Sequence, residues 1–415
     1  MGKPGISLDS VKNNNKSEIL KMLQKNGAMS RKDIATQMGL TPAAVTMLCN
    51  AMIEDHMIVE LGEMQEEKRA GRKKMLVDIN YDFKQIVSVN IEAADTWITV
   101  TNIRGNVLAE TKVHTQSDKK PEDFLEELTR EIKILLWEKG VQLPDVLGIG
   151  VCIPGIVDRE NGISIHAYGI WNQSVPVADI FGKHIPCQVI VENNVKAFAE
   201  GEMLYGVGKQ GDNILFIKWG PGVGSAIVIG NELYEGDHHN AAEIGHYIVE
   251  PNGLQCRCGR RGCLETRVSM FALTERIREV YSQQDTPLLY KETAGDKEKI
   301  TRELLTRWVE EENNSYLAKM DAVVVDIMLG AIERMARVAV NVMTILAPDC
   351  AIVFGSMMEN SRVYRTFMEY CQRYDESYTD GYIHRSVLSE KINYIGGTAL
   401  IARTYFFESS APTKK

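Results

Sequence analysis

The stretch Glu243-Ile-Gly-His246-Tyr-Ile-Val-Glu-Pro-Asn-Gly-Leu-Gln-Cys256-Arg-Cys258-Gly-Arg-Arg-Gly-Cys263-Leu-Glu265 carries the densest chemistry in the chain. Three of the eight cysteines fall within eight residues of a polar, Gly- and Arg-rich loop, and His246 stands ten residues before the first of them. Three thiolates and one imidazole make a closed tetrahedral shell suited to a structural zinc ion, and Gly259 and Gly262 let the backbone turn tightly enough to gather the sulfurs. A closed shell leaves no open position for substrate, so such a metal stabilises rather than catalyses. The alternative, ordinary free thiols, does not explain why three cysteines cluster where burial is absent.

Outward from this loop, 415 residues exceed one compact core and predict two or three domains. No apolar run approaches the roughly 18 residues of a membrane span. The N-terminal decapeptide also lacks the apolar core of a signal peptide, so a cytoplasmic chain with reduced cysteines is expected. The net charge of -9 is uneven. Residues 1–80 hold 12 Lys/Arg against 10 Asp/Glu, and the remainder 35 against 46. A mildly basic head on an acidic body is compatible with nucleic-acid contact confined to the head.

That head has the signals of a helix-turn-helix. Apolar Ile19, Leu20 and Leu23 recur at helical spacing over Lys16–Asn26, and Gly27 ends the helix. Ser30 caps Arg31–Met38, Gly39 makes the turn, and Thr41 caps a third helix that starts at Pro42. Ser30, Arg31, Thr41, Ala43, Ala44, Thr46, Met47 and Asn50 are the candidate DNA contacts. Two short strands, Met57–Leu61 and Lys74–Ile79, flank a basic tip whose Arg69, Arg72 and Lys73 suit a wing on phosphates or in a minor groove. A helical protein-interaction module with a solvated basic loop is the competing reading; the joint presence of three helices and a basic tip favours DNA.

The body reads as two α/β lobes. Three strand-like runs fill 86–113, a helix follows Pro121, and a buried strand over Val146–Val151 leads to Pro154-Gly155, at the strand end where such folds bind ligands. Another strand ends in Glu192-Asn193-Asn194 before a helix over Val195–Tyr205. The theme then repeats, with strands Ile214–Trp219, Ser225–Ile229 and Cys350–Phe354 and helices Val268–Tyr281 and Ala322–Leu346.

Three signatures together resemble the ROK family of sugar repressors and sugar kinases. They are "G-A-M-S-R-K-D-I-A-T-Q-M-G-L-T-P-A-A-V-T" followed by "G-R-K-K"; "V-C-I-P-G-I-V-D-R-E-N-G-I" with "V-E-N-N-V-K-A-F-A-E-G-E"; and the E-x-G-H plus C-x-C-G-x-x-G-C-x-E of the opening stretch. The resemblance implies an α/β fold with an N-terminal winged helix-turn-helix before a two-lobed actin-like (sugar kinase, RNase H-like) domain. The expected division is 1–80 for the head, 81–195 for the first lobe, 196–400 for the second lobe with its zinc loop, and 401–415 for a C-terminal tail.

By the same resemblance Gly155, Asn193, Asn194, Glu243, His246 and Glu265 line a sugar site, and His246, Cys256, Cys258 and Cys263 hold zinc, so that the metal fixes a sugar-binding side chain. The loop His166–Asn172 is where sugar selectivity is expected, with Tyr168 or Trp171 able to stack on a sugar face or simply to pack. The family's kinases place an Asp at the general-base position, where this chain has Asn194, and an Asp-x-Gly-x-Thr phosphate turn, where it has Asn90, Glu92 and Ala94. Both departures point away from catalysis. The expectation is a sugar-controlled repressor, a homodimer or dimer of dimers on an operator DNA duplex. Two alternatives stay open: an ATP-dependent sugar kinase with an appended head, and a repressor governed by a regulatory protein partner.

Overall fold

The computed structural model describes residues 8–63, 75–237, 239–302, 304–305 and 320–408. The basic tip with Arg69, Arg72 and Lys73 lies outside the described residues. Helix α1 runs Leu8–Asn26, starting a good two turns before the predicted Lys16. After β1 (Met29–Ser30), α2 (Arg31–Met38) begins and ends where its caps predict, and α3 (Pro42–Glu54) begins where Thr41 and Pro42 predict. The Ser30 and Thr41 hydroxyls accept from the Asp33 and Ala44 N–H groups, and Gly39 closes α2 in the left-handed region at φ 66°. Strands β2 (Ile58–Glu63) and β3 (Met75–Ile79) pair antiparallel, and β1 adds to the far edge of β3.

The body contains two five-stranded sheets built on one plan. The first comprises β4 (Gln85–Ile91), β5 (Asp95–Thr101), β6 (Val107–His114), β7 (Val146–Ile153) and β10 (Val189–Asn193) in the order β10-β7-β4-β5-β6. The second comprises β11 (Ile214–Trp219), β12 (Val223–Ile229), β13 (Glu232–Leu233), β14 (Cys350–Phe354) and β15 (Ile383–Arg385) in the order β13-β12-β11-β14-β15. In both, three antiparallel strands are followed by two parallel ones on the other side of the first. The small hairpin of β8 (Ile156–Asp158) and β9 (Ile163–His166) projects from the end of β7.

Helices α4 (Pro121–Glu138) and α5 (Val177–His184) bury Phe124, Leu128, Ile132 and Phe181 on one face of the first sheet. Helix α6 (Asn194–Tyr205) lies between the sheets: Phe198 stacks on Phe354 of β14 at 4.1 Å, while Ala197 and Leu204 join the core beneath the head. Helix α7 (Glu265–Val268) and helix α8 (Met270–Val280) replace the single predicted helix. Ser269 is extended at ψ 149° and its hydroxyl caps Ala272, so the break is a cap rather than a bend. The Ala322–Leu346 helix covers the second sheet.

Several elements escape the sequence reading, among them α5, the β8–β9 hairpin, the helix Ser361–Tyr374, β15 and the buried helix Ile395–Ala402. This last helix returns to the first sheet, where Gly150 and Gly397 meet so closely that a Cβ on Gly150 would stand 2.1 Å from the Gly397 carbonyl oxygen. The chain then continues through Arg403–Phe407, burying Phe406 and Phe407 against Ile19, Leu20 and Leu23 of α1. The boundary drawn at 401 therefore falls inside a continuous packed segment, and apolar burial is the reason it is held. Among the described residues no helix is long and apolar enough to cross a membrane, and all eight cysteines are free thiols.

Candidate sugar cleft and metal centre

A cleft of about 1590 Å³ opens between the lobes, and Gly155, Asn193, Asn194, Glu243, His246 and Glu265 all line it. Gly155 sits at φ 102°, a conformation glycine alone adopts easily, and a Cβ there would stand 2.1 Å from the His166 carbonyl. Its carbonyl accepts from Asn193 Nδ2 at 2.7 Å. Asn193 Oδ1 meanwhile accepts from the Val195 and Lys196 N–H groups at 2.8 and 3.2 Å, so this side chain caps α6 as well as facing the cleft. Glu192 turns away: it is buried beside Arg159, with Oε2 at 3.4 Å from the guanidinium.

On the opposite wall, Glu265 Oε2 accepts from the Val223 N–H at 3.0 Å. Burial pushes the Glu243 carboxyl up to about 7, opposed by the Lys196 ammonium and reinforced by Glu265. His246 connects this wall to the cysteines. Its Nδ1 lies 3.5 Å from Cys256 Sγ, and its Nε2 lies 3.8 Å from Glu243 Oε2. One ring nitrogen is thus available to a metal while the other faces the cleft, and burial lowers the imidazole pKa toward the neutral form a metal ligand needs.

The ligand atoms of His246, Cys256, Cys258 and Cys263 all lie within 4.8 Å of one another. A tetrahedral ion with zinc-like bond lengths requires edges of about 3.8 Å between sulfurs and about 3.6 Å between sulfur and nitrogen. The Cys258–Cys263 separation of 3.6 Å and the Cys256–His246 separation of 3.5 Å match those edges. Neither approaches the roughly 2.05 Å of a disulfide. The donor set fits a metal ion.

The structure also separates two aromatic candidates. Tyr168 lines the cleft with its ring edge-on to His246 at 5.3 Å. Trp171 is 7% exposed and its Nε1 donates to Ser164 Oγ at 3.0 Å, which places it in the first-lobe core.

At the floor of the cleft, residues far apart in sequence converge. Asn194 Nδ2 donates to Glu92 Oε1 at 2.7 Å, and Lys218 Nζ of β11 donates to the same oxygen at 2.9 Å. Lys218 was not singled out from sequence, although a lone ammonium inside the apolar run Ile-Leu-Phe-Ile-Lys-Trp is a detectable signal. Asn90 is buried within β4, and Ala94 lines the cleft beside Glu92.

Among the DNA candidates, Thr41, Ala43, Thr46, Met47 and Asn50 are exposed and Ala44 is half-buried. Ser30 is buried, its hydroxyl donating to Asp33 Oδ2 at 2.7 Å. Arg31 bridges the head, donating to Asn50 Oδ1 at 3.1 Å and Glu60 Oε1 at 2.7 Å.

Residues 86–403 match the model of the ROK family. The chain belongs to the ROK family. Residues 12–59 match a winged helix-turn-helix DNA-binding model. The xylose repressor of Bacillus subtilis (strain 168) is 29% identical over 276 residues, covering 65% of this chain and 69% of that protein. The glucokinase of Thermotoga maritima is 30% identical over 275 residues, covering 66% of this chain and 82% of the enzyme. The crystal structure of a ROK family transcriptional regulator, a homologue of the E. coli MLC protein, superposes with a TM-score of 0.78 at 23% identity over 97% of this chain and 98% of that one. ROK membership thus covers repressors and kinases alike, and the fold, a winged head before two actin-like lobes, is common to this chain and the superposed regulator.

Proposed function

We propose that this ROK protein is a transcriptional repressor of sugar-metabolism genes whose operator affinity is set by a sugar bound between the lobes. The observation that carries the reading is the placement of α6. Its N-cap Asn193 and its first residue Asn194 face the sugar cleft, and at its other end the Leu204 carbonyl accepts from Gln24 Nε2 of α1 at 2.7 Å. One rigid helix, about 18 Å long at 1.5 Å per residue, therefore links the ligand site to the first helix of the head. A sugar that favours one lobe arrangement moves α6 and, with it, the footing of α3. The usual coupling of about 1–3 kcal/mol corresponds to a 5- to 150-fold change in DNA affinity.

Gly155, Asn193, Asn194, Glu243, His246 and Glu265 are the proposed sugar contacts, and zinc is the proposed ion, held for structure by His246 and the three cysteines. Two such chains would carry two recognition helices about 34 Å apart on a pseudo-palindromic site. Fluorescence anisotropy of duplexes from the protein's own promoter, titrated with and without xylose, glucose and N-acetylglucosamine, tests the whole reading. A sugar that shifts affinity supports it, and indifference to every sugar removes it.

The identity with a glucokinase favours a second reading, a working kinase. Asn194 opposes it, because a neutral amide cannot take the proton of an attacking hydroxyl, and Glu92 puts a carboxylate where a phosphate turn is expected. ADP release in the presence of a sugar that binds would restore the enzyme.

A further inference from the structure

The recognition helix has an unusual surface for a DNA reader. Ala43, Thr46, Met47 and Asn50 follow one another at i, i+3, i+4 and i+7, and all four are exposed, Met47 by 60%. From Pro42 to Glu54 the helix contains no Lys or Arg; its single charge is Glu54, in the last turn. Guanine is read most often by a bidentate Arg or Lys on such a face, and this face has neither. What it offers instead is a thioether, small apolar groups and one amide. The Thr46 hydroxyl donates to the Pro42 carbonyl at 2.7 Å, which commits its proton within the helix.

The amide is not free to turn. Arginine carries donors only, so the atom of Asn50 that faces Arg31 Nη2 at 3.1 Å is the acceptor Oδ1. Glu60 Oε1, at 2.7 Å from the same nitrogen, holds the guanidinium in place. Asparagine reads adenine by using its oxygen and nitrogen together. With one lone pair of Oδ1 taken by Arg31, the amide is turned with its oxygen toward the head, and Nδ2 is the group left to donate to a base edge that accepts, such as thymine O4.

We infer that α3 reads thymine: Met47, flanked by Ala43, packs on thymine C5-methyl groups in the major groove, while Arg31 and Glu60 hold the Asn50 oxygen toward the head and leave Nδ2 as the donor to a neighbouring base acceptor. Met47 and Asn50 touch DNA, and Arg31 and Glu60 are positioning residues. This rests on the DNA-binding reading above.

The test uses the full-length protein and duplexes selected by it from a randomised pool. Each selected thymine is then replaced by uracil, which removes only the methyl group. Binding is expected to fall roughly 4-fold for each methyl that is contacted, and Met47→Ala is expected to erase the sensitivity to that uracil. In Arg31→Leu the amide is released, and selection at the Asn50 position is expected to admit adenine; a purely structural Arg31 would lower affinity without changing the preferred base. Sequence-specific binding that is indifferent to uracil at every position, or a base preference unaltered by Met47→Ala, overturns the inference. Failure to select any preferred sequence overturns the DNA-binding reading instead, so the two failures are distinct.

Discussion

Asn194 Nδ2 donates to Glu92 Oε1 at 2.7 Å across 102 residues of sequence, and Lys218 completes the contact from the other lobe. On the proposed repressor reading, a carboxylate at this one position is not expected to confer kinase activity. In Asn194→Asp two carboxylates face each other, and like charges at that distance disfavour both being ionised. The variant is expected to show no sugar-dependent ADP release and to lose about 1 kcal/mol of stability, a fall of about 1 °C in the Tm of a chain this long. Turnover by this variant in a coupled assay would mean that the phosphate site is intact after all.

Removal of one metal ligand should be felt in the cleft, because His246 belongs to both. Cys258→Ser is expected to lower bound metal, measured by elemental analysis, and to reduce the thermal shift that a binding sugar produces. For wild type, a sugar at 100 times its Kd should add about 2.7 kcal/mol. A variant that has lost its metal yet keeps the full sugar shift would separate the two sites.

Tyr168 and Trp171 should part company. Tyr168→Ala is expected to weaken sugar binding with less than about 1 kcal/mol of stability change, as for a side chain at the edge of an open cleft. Trp171→Ala, which empties a core position, is expected to cost about 3–5 kcal/mol in chemical denaturation. Equal stability losses would place Tyr168 in the core as well.

Two glycines give opposite signs. Gly155→Ala forces a Cβ against the His166 carbonyl at φ 102° and should destabilise by about 2–4 kcal/mol while disturbing the Asn193 cap. Gly182→Ala lies inside α5 with no atom within 4 Å of the added carbon, and should stabilise by about 0.5–1 kcal/mol. Urea denaturation of the pair reads both; destabilisation by Gly182→Ala would contradict the helical account.

Local chemistry explains why so much was readable. Ser30, Gly39, Thr41 and Pro42 act within one turn of their own positions, so the α2-turn-α3 unit is written directly in its caps. The metal loop is equally local, since ten residues separate His246 from Cys256. The Ile395–Ala402 helix was not readable for the converse reason. Buried on every side, its Ile-Gly-Gly-Thr-Ala-Leu-Ile-Ala run has no polar face to betray a helical period, and its place depends on a glycine 247 residues earlier, Gly150. Lys218 finds Glu92 across 126 residues, and no pattern in either neighbourhood announces the pair. Asn193 was legible as a cleft residue, but its work as the α6 cap follows only from where the helix begins.

The core shared by α1 and Phe406–Phe407 bears on how the protein matures. The Ser17 hydroxyl donates to the Phe407 carbonyl, and the first helix of the chain beds on residues synthesised nearly 400 positions later. On the ribosome α1 is made well before Phe406 and Phe407, and it stays without this seat until they have emerged. On the proposed repressor reading, any coupling between cleft and head therefore waits on Phe406 and Phe407, and a chain cut before them would carry a reader uncoupled from the sugar site.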